Sequence, residues 1–156
     1  MSLSSQFEST ARTGRDNQSY DDTYARRVAG CLPIDNENKR VLLVKSSKYD
    51  HVWVIPKGGW ENDETVEQAA ARETYEEAGV CGDIGSLIGD YMEYDKFGKP
   101  KTHFWFYEMN VKEVLDKWPE MRQRQWFTYD EALHVLRFKP IMQRVLQNSS
   151  FAKSLT

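Results

Sequence analysis

The N-terminal half of the chain contains short apolar runs separated by polar turns. The polar segment 35–39 separates two runs that together predict a β-hairpin. A third run is followed by Pro56 and by Gly58 and Gly59, which interrupt regular strand pairing. We therefore predict three strands in this region, at residues 27–34, 40–47 and 52–55.

The next segment has the pattern of a helix. Val66, Ala69 and Ala70 recur at helical spacing and form one stripe. Thr65 and Gln68 match a capping box with Thr65 as the N-cap. Gly79 stands where a C-terminal helix glycine is typical. These signals predict a helix at residues 66–78.

The rest of the chain alternates between strand and helix patterns. Two strands are predicted around a loop at 96–100, and the second of them is aromatic and should be central in the sheet. The fold class is therefore α/β. The predicted strands are 84–95, 101–109 and 124–128, and the predicted helices are 129–136 and 140–147. Residues 1–22 are polar with few aliphatic residues, so we expect a flexible or draped N-terminal arm before a single domain at 23–150.

Composition restricts the classes of function. The chain has 156 residues, of which 40% are hydrophobic, and its formal net charge of −3 disfavours bulk nucleic-acid binding. No apolar run approaches the roughly 20 residues that span a bilayer, and the N-terminus lacks a signal-peptide pattern. We interpret Cys31 and Cys81 as reduced thiols and expect a cytoplasmic or nuclear location without membrane contact.

The segment from Gly58 to Val80 fits the spacing G-x5-E-x7-R-E-U-x-E-E-x-G-U, where U is a bulky apolar residue. Only Thr74 departs from this pattern. Its remaining specified positions are Gly58, Glu64, Arg72, Glu73, Glu76, Glu77, Gly79 and Val80. Such a match at fixed spacing is hard to obtain by chance, whereas an isolated acidic cluster is usually a solvated helix face.

Glu73 and Glu77 continue the apolar stripe of the predicted helix, and Glu76 flanks it. Like charges within one turn repel each other, and burying them unpaired is unfavourable. A divalent cation resolves this conflict, and oxygen ligands suit Mg²⁺. Arg72 can pair with Glu64 and fix the preceding loop, while Gly58 permits a close approach of the backbone. Because no Ser/His/Asp set is recognisable, we expect the nucleophile to be water.

These residues resemble the Nudix box. The resemblance implies a Nudix α/β/α sandwich with a central mixed sheet, and Mg²⁺- or Mn²⁺-dependent hydrolysis of a nucleoside diphosphate linked to another moiety or of a related phosphoanhydride. The wider sequence is similar to diphosphoinositol polyphosphate phosphohydrolases of plant and fungal type, whose family also hydrolyses diadenosine polyphosphates. That similarity lies in residues 27–31, 41–48, 53–61, 101–108 and 122–127.

The same resemblance implies roles for individual residues. Glu73 and Glu77 would be metal ligands together with the backbone carbonyl of Lys57, and Glu76 would be the catalytic base or a ligand for a further metal. Lys57 stands where animal members have glycine. The structural residues of the motif would be Gly58, Glu64, Arg72 and Gly79.

A diphosphoinositol substrate would need many cationic and hydroxyl side chains around one pocket. The candidates are Arg26, Arg27, Ser46, Ser47, Lys48, Lys57, Lys99, Lys101, Arg122, Arg124 and Lys139. An adenine would need an aromatic partner, for which Trp60 is the best candidate, whereas Trp53, Trp105 and Trp126 are expected in the core.

Two other interpretations stay open at this point. The first keeps the mechanism but changes the substrate to a dinucleoside polyphosphate, a nucleotide sugar or an mRNA cap. The second is a Nudix-type module that binds polyphosphates without turnover, although such a module has no need for all three glutamates. The sequence does not indicate the oligomeric state.

Overall fold

The computed structural model describes residues 2–12, 14 and 17–155. Within these residues seven strands form one sheet. They are β1 (Arg26–Asp35), β2 (Arg40–Lys45), β3 (Trp53–Val54), β4 (Lys57–Gly59), β5 (Val80–Tyr94), β6 (Pro100–Val114) and β7 (Arg124–Phe127). The α-helices in the same part of the chain are α1 (Val66–Ala78), α2 (Tyr129–Val135), α3 (Pro140–Asn148) and α4 (Ser150–Lys153).

The sheet is mixed, as the resemblance implied. Its main path runs β3-β2-β1-β6-β5, with β4 added to β1 and β7 added to β2. Strands β1 and β6 are parallel, and the other pairs are antiparallel. The aromatic strand β6 lies between β1 and β5, which confirms its predicted central position.

Helices cover both faces of the sheet, and the alternation of side chains along β1 shows which helix lies on which face. Val28 lines the same cavity as Met142 of α3, so even-numbered positions of β1 face that helix. The Cys31 thiol, at an odd-numbered position, interacts with the hydroxyl of Thr74 on α1. Cys31 and Cys81 are both free and buried, and burial raises the pKa of each thiol to about 12.

The predicted helix at 66–78 is confirmed at both ends. Thr65 and Gln68 form both hydrogen bonds of the capping box, and Gly79 adopts the left-handed conformation with φ of 66°. Strands β5 and β6 are longer than predicted. Strand β6 continues through the largely exposed residues 110–114, whereas β5 already begins at the buried Val80 and Cys81, directly after the glycine that ends α1. Strand β4 and helix α4 were not predicted, since each is short and β4 contains two glycines.

The described part of the N-terminal arm lies against α1 and β6. Residues Leu3–Gln6 form a 3-10 turn. The ring of Phe7 stacks on that of Tyr75 of α1, with 4.7 Å between centroids. The Ser4 amide donates to the Glu113 carboxylate at 3.0 Å. No helix in the described ranges has the length and apolarity to cross a membrane.

Candidate active site

Helix α1 carries the three motif glutamates into the protein interior. Glu73, Glu76 and Glu77 are 7%, 2% and 3% exposed. Thr74, the one departure from the motif, is fully buried and donates its hydroxyl to the Ala70 carbonyl at 2.8 Å, so its polar group is satisfied. The solvated-face interpretation of this acidic cluster is therefore excluded.

Arg72 holds the carboxylates and the preceding loop together. It donates two hydrogen bonds to Glu64, at 2.6 and 2.9 Å, which confirms the predicted pair. The same guanidinium donates to the Gly59 carbonyl at 2.9 Å, to Glu73 at 2.9 Å and to Glu76 at 3.3 Å. One buried cation therefore orients two of the three motif carboxylates on α1.

Position 58 has no room for a side chain, which explains the glycine there. A Cβ atom on Gly58 would lie 2.1 Å from the Glu73 carboxylate. The neighbouring residue contacts Glu77 through its backbone: the Lys57 amide donates to Glu77 Oε1 at 3.3 Å. The loop backbone therefore packs directly against both carboxylates.

A fourth carboxylate, Glu120, completes the cluster. Oxygen atoms of Glu73, Glu77 and Glu120 lie within 4.8 Å of one another. Sequence reasoning missed Glu120, because it is a single glutamate in a polar loop without a motif. The Glu120 amide donates to the Glu76 carbonyl at 3.0 Å, and this hydrogen bond fixes the loop on α1.

This donor set fits a divalent cation. Three converging carboxylates supply hard oxygen ligands, and only part of their charge is balanced by Arg72 and Arg122. A second acidic group, formed by Glu61, Asp63 and Glu64, is already paired with Arg12 and Arg72. The first group is therefore the better candidate for a metal site.

Burial raises the pKa of all three motif glutamates. The Glu73 pKa rises to about 8, because burial and the neighbouring charge of Glu77 outweigh the attraction of Arg72. Burial also raises the pKa of Glu77 and of Glu76 against the opposing attraction of nearby cations. A cation that binds beside these buried carboxylates would stabilise their ionised form and lower their pKa.

Glu76 differs from its two neighbours in its contacts. Its Oε2 accepts hydrogen bonds from the Arg12 amide at 3.2 Å and from Arg72 at 3.3 Å. Its buried Oε1 has no hydrogen-bond partner among the described residues. Glu76 also stands apart from the three-carboxylate group of Glu73, Glu77 and Glu120. One oxygen of Glu76 is thus held in place and the other is available for proton transfer or for a cation.

We expect the metal-free protein to lose stability as pH rises from about 5 to 8. The Glu73 pKa is about 8 in the folded state against 4.5 ordinarily, so the folded state binds more protons in this window. The free energy of unfolding then falls with pH, by at most about 1.4 kcal/mol per unit for this group. Thermal unfolding of chelator-treated protein at several pH values measures this slope. Glu73→Gln should make the slope less steep, while Glu76 and Glu77 maintain the rest of it, and an unchanged slope would contradict the assignment.

A cationic cavity of about 670 Å³ adjoins the carboxylate cluster. It shares Lys57 and Arg122 with that cluster, since Arg122 lies 3.5 Å from Glu77 and 2.7 Å from Glu120. The predicted substrate residues that line it are Arg26, Ser46, Ser47, Lys48, Lys57, Lys101, Arg122 and Lys139. The structure therefore brings together residues that are distant in the sequence.

Three predicted substrate residues lie elsewhere. Arg27 follows Arg26 on β1 and points to the opposite face, where its guanidinium lies 4.9 Å from the centroid of the Trp60 ring. Lys99 belongs to the exposed turn between β5 and β6 and does not line the cavity. Arg124 donates to the Ala78 and Leu115 carbonyls and stacks on Trp118, so it supports the loop that carries Glu120.

The tryptophans are half-buried and lie outside the cationic cavity. Trp60 packs edge-on against Trp105 at 5.5 Å and donates its indole N–H to the Glu64 carbonyl, which makes it a support of the loop rather than part of that cavity. Trp53 and Trp126 pack against the core from its margin. Trp105 stacks on His103 at 3.8 Å. The expectation that these three are core residues was therefore only partly right.

Comparisons with known proteins agree with this geometry. Residues 24–148 match the NUDIX domain. Nudix hydrolase 4 of Arabidopsis thaliana is 39% identical over 137 residues, which cover 80% of this chain and 66% of that relative. Diphosphoinositol polyphosphate phosphohydrolase 2 of Rattus norvegicus is 37% identical, with coverage of 89% and 79%. A solved NUDIX hydrolase from Nitrosomonas europaea superimposes with a TM-score of 0.62 at 27% identity, with coverage of 78% and 67%. This chain therefore belongs to the Nudix hydrolase family.

Proposed function

We propose that this protein hydrolyses the phosphoanhydride bond of diphosphoinositol polyphosphates with Mg²⁺, and that it also accepts diadenosine polyphosphates. The observation that carries the proposal is the cationic cavity beside the carboxylate cluster. Lys57 and Arg122 belong to both, so a phosphate bound in the cavity reaches the carboxylates. Mn²⁺ suits the same oxygen ligands.

The charge of the cavity favours a small and highly anionic substrate. Among the described lining residues, six are cationic and one, Glu93, is acidic, in a chain whose net charge is −3. Such a concentration of one sign in a concave site raises the local concentration of a polyanion. The cationic residues are Arg26, Lys48, Lys57, Lys101, Arg122 and Lys139. The name of the rat relative, a diphosphoinositol polyphosphate phosphohydrolase, supports the same substrate class.

Different residues would bind the metal, accept a proton and bind the phosphate during hydrolysis. Glu73, Glu77 and Glu120 would hold the metal, which when bound neutralises charge that develops on the phosphate. Glu76 takes the proton of the attacking water at its unpartnered Oε1, while Arg72 holds Oε2 and keeps the carboxylate oriented. Arg122 and Lys57 bind the phosphate next to the reacting bond.

Phosphate release from a diphosphoinositol pentakisphosphate in the presence of Mg²⁺ tests this proposal. We expect Lys101→Ala to raise KM for this substrate by up to about fivefold, because one exposed phosphate contact is lost. Lys99→Ala is the matched control, since Lys99 lies two residues away on the same hairpin but outside the cavity. Arg122 is a poorer choice, because its pairing with Glu120 also supports the metal carboxylates.

Three outcomes would contradict the proposal. If the wild-type protein did not turn over the inositol compound, the proposed activity would be wrong. A strong preference for diadenosine hexaphosphate would show that dinucleotides are the main substrates. Equal effects of Lys101→Ala and Lys99→Ala would show that the cavity does not hold the inositol phosphates.

A further inference from the structure

The cationic cavity has a second kind of lining that inositol phosphates do not require. Six aromatic residues in the described part of the chain are strongly exposed, and four of them line this cavity. These four are Tyr20, Tyr24, Tyr49 and Phe138, with exposed fractions of 48%, 87%, 54% and 47%. Exposed aromatic side chains that cluster in one place mark a binding surface, whereas single ones scattered over the protein are common and need no explanation. We call these four residues the aromatic rim.

The backbone presents Tyr24 in an unusual way. Tyr24 has φ of 68°, a left-handed conformation that is unfavourable for a bulky residue. The turn around it is fixed by Asp21, whose carboxylate accepts from the Thr23 and Ala25 amides at 2.8 and 3.1 Å. His103 contacts the other carboxylate oxygen of Asp21 at 2.9 Å. The hydrogen bonds of Asp21 thus hold Tyr24 in a strained conformation with its side chain open to solvent. Strained residues of this kind cluster at sites that contact ligands.

The other part of the rim is supported by its own neighbours. The ring of His51 meets Phe138 edge-on at 5.3 Å, and Tyr49 lies 6.3 Å from His51. The Arg137 guanidinium lies over the Phe138 ring at 4.4 Å. Phe138 directly precedes Lys139, a cationic residue of the same cavity. An aromatic surface and a phosphate contact are therefore adjacent on one loop.

We propose that the aromatic rim is a base-stacking subsite that accepts the nucleobase of a nucleoside polyphosphate, with Tyr24 and Phe138 as its principal contacts. The inference rests on the proposed function, because the phosphates of the nucleotide use the same cationic residues as those of the inositol compound. An inositol ring has no aromatic face and gains nothing from stacking. The rim therefore determines whether nucleotides are accepted, and the cationic residues serve both substrate classes.

Binding measurements without a divalent metal separate the subsite from turnover. Diadenosine hexaphosphate and a diphosphoinositol pentakisphosphate are titrated by calorimetry into the wild type, Tyr24→Asn and Phe138→Ala. Asn is chosen at position 24 because it tolerates the left-handed conformation. We expect each variant to bind the dinucleotide about tenfold more weakly, as loss of one stacked base implies, and the inositol compound within about twofold of wild type.

Phe97→Ala is the matched control. Phe97 is 77% exposed but does not line the cavity, so its removal should leave both affinities unchanged. Equal losses for both ligands, unchanged dinucleotide affinity in Tyr24→Asn and Phe138→Ala, or no dinucleotide binding by the wild type would overturn the subsite. Failure of the proposed hydrolysis is a separate result, because it is detected only in the phosphate-release assay with metal.

Discussion

Glu76→Gln is expected to lower kcat by at least about 100-fold, the loss typical for removal of a general base. The amide cannot accept the proton of the attacking water, whereas Arg72 and the Arg12 amide can still donate to its oxygen. Burial already disfavours the charged form of Glu76 and raises its pKa, so the neutral side chain should leave the melting temperature unchanged or higher. Turnover, circular dichroism and thermal unfolding together measure this result.

Glu67→Gln provides the control on the same helix. Glu67 lies in the first turn of α1, is exposed and contacts Tyr107 rather than the carboxylate cluster. Its replacement should leave turnover close to that of wild type. If Glu76→Gln kept more than about a tenth of the wild-type kcat, the role of Glu76 as base would be wrong.

Gly58→Ala is expected to lower turnover about 100-fold while the protein stays folded. The new methyl group would lie 2.1 Å from the Glu73 carboxylate, which is the mobile end of a side chain and can move away. Such a shift of about 1 Å at a reacting centre is enough for a loss of this size. The fold should lose only about 1–3 kcal/mol, as in other overpacked sites. Mn²⁺ titration followed by electron paramagnetic resonance should show weaker metal binding.

Gly85→Ala tests whether the effect is specific. Gly85 lies in β5, and the nearest atom to an added Cβ would be 3.5 Å away, an ordinary contact. This variant should bind Mn²⁺ and turn over substrate like wild type. Normal metal affinity in Gly58→Ala would show that the position of the Glu73 carboxylate does not depend on the empty space at Gly58.

Local sequence signals explain why both ends of α1 could be predicted correctly. Its capping box, its C-terminal glycine and its apolar stripe all act within a few residues of the helix. The pair of Arg72 and Glu64 could be predicted for the same reason. Alternation along a strand also contained the information that Arg26 and Arg27 point to opposite faces, although both were assigned to the substrate.

Contacts made by tertiary packing could not be predicted in this way. Glu120 joins the cluster only because its loop is fixed on α1 by a backbone hydrogen bond and by Arg124 and Trp118. The Arg12 amide meets Glu76 through an arm without strand or helix periodicity at that position. The aromatic rim combines three segments whose aromatic residues have no spacing in common.

Lys57 performs two tasks with separate parts of one residue. Its amide supports Glu77, and this contact is independent of the side chain, since every residue except proline has a backbone N–H. Its side chain lines the cavity and contributes one of the positive charges there. Its charge also favours the ionised form of Glu77. Replacement by a neutral residue would therefore keep the backbone contact with Glu77 but change both the charge of the cavity and the protonation of that carboxylate. Position 57 consequently links the choice of polyanion to the charge state of a carboxylate in the metal site.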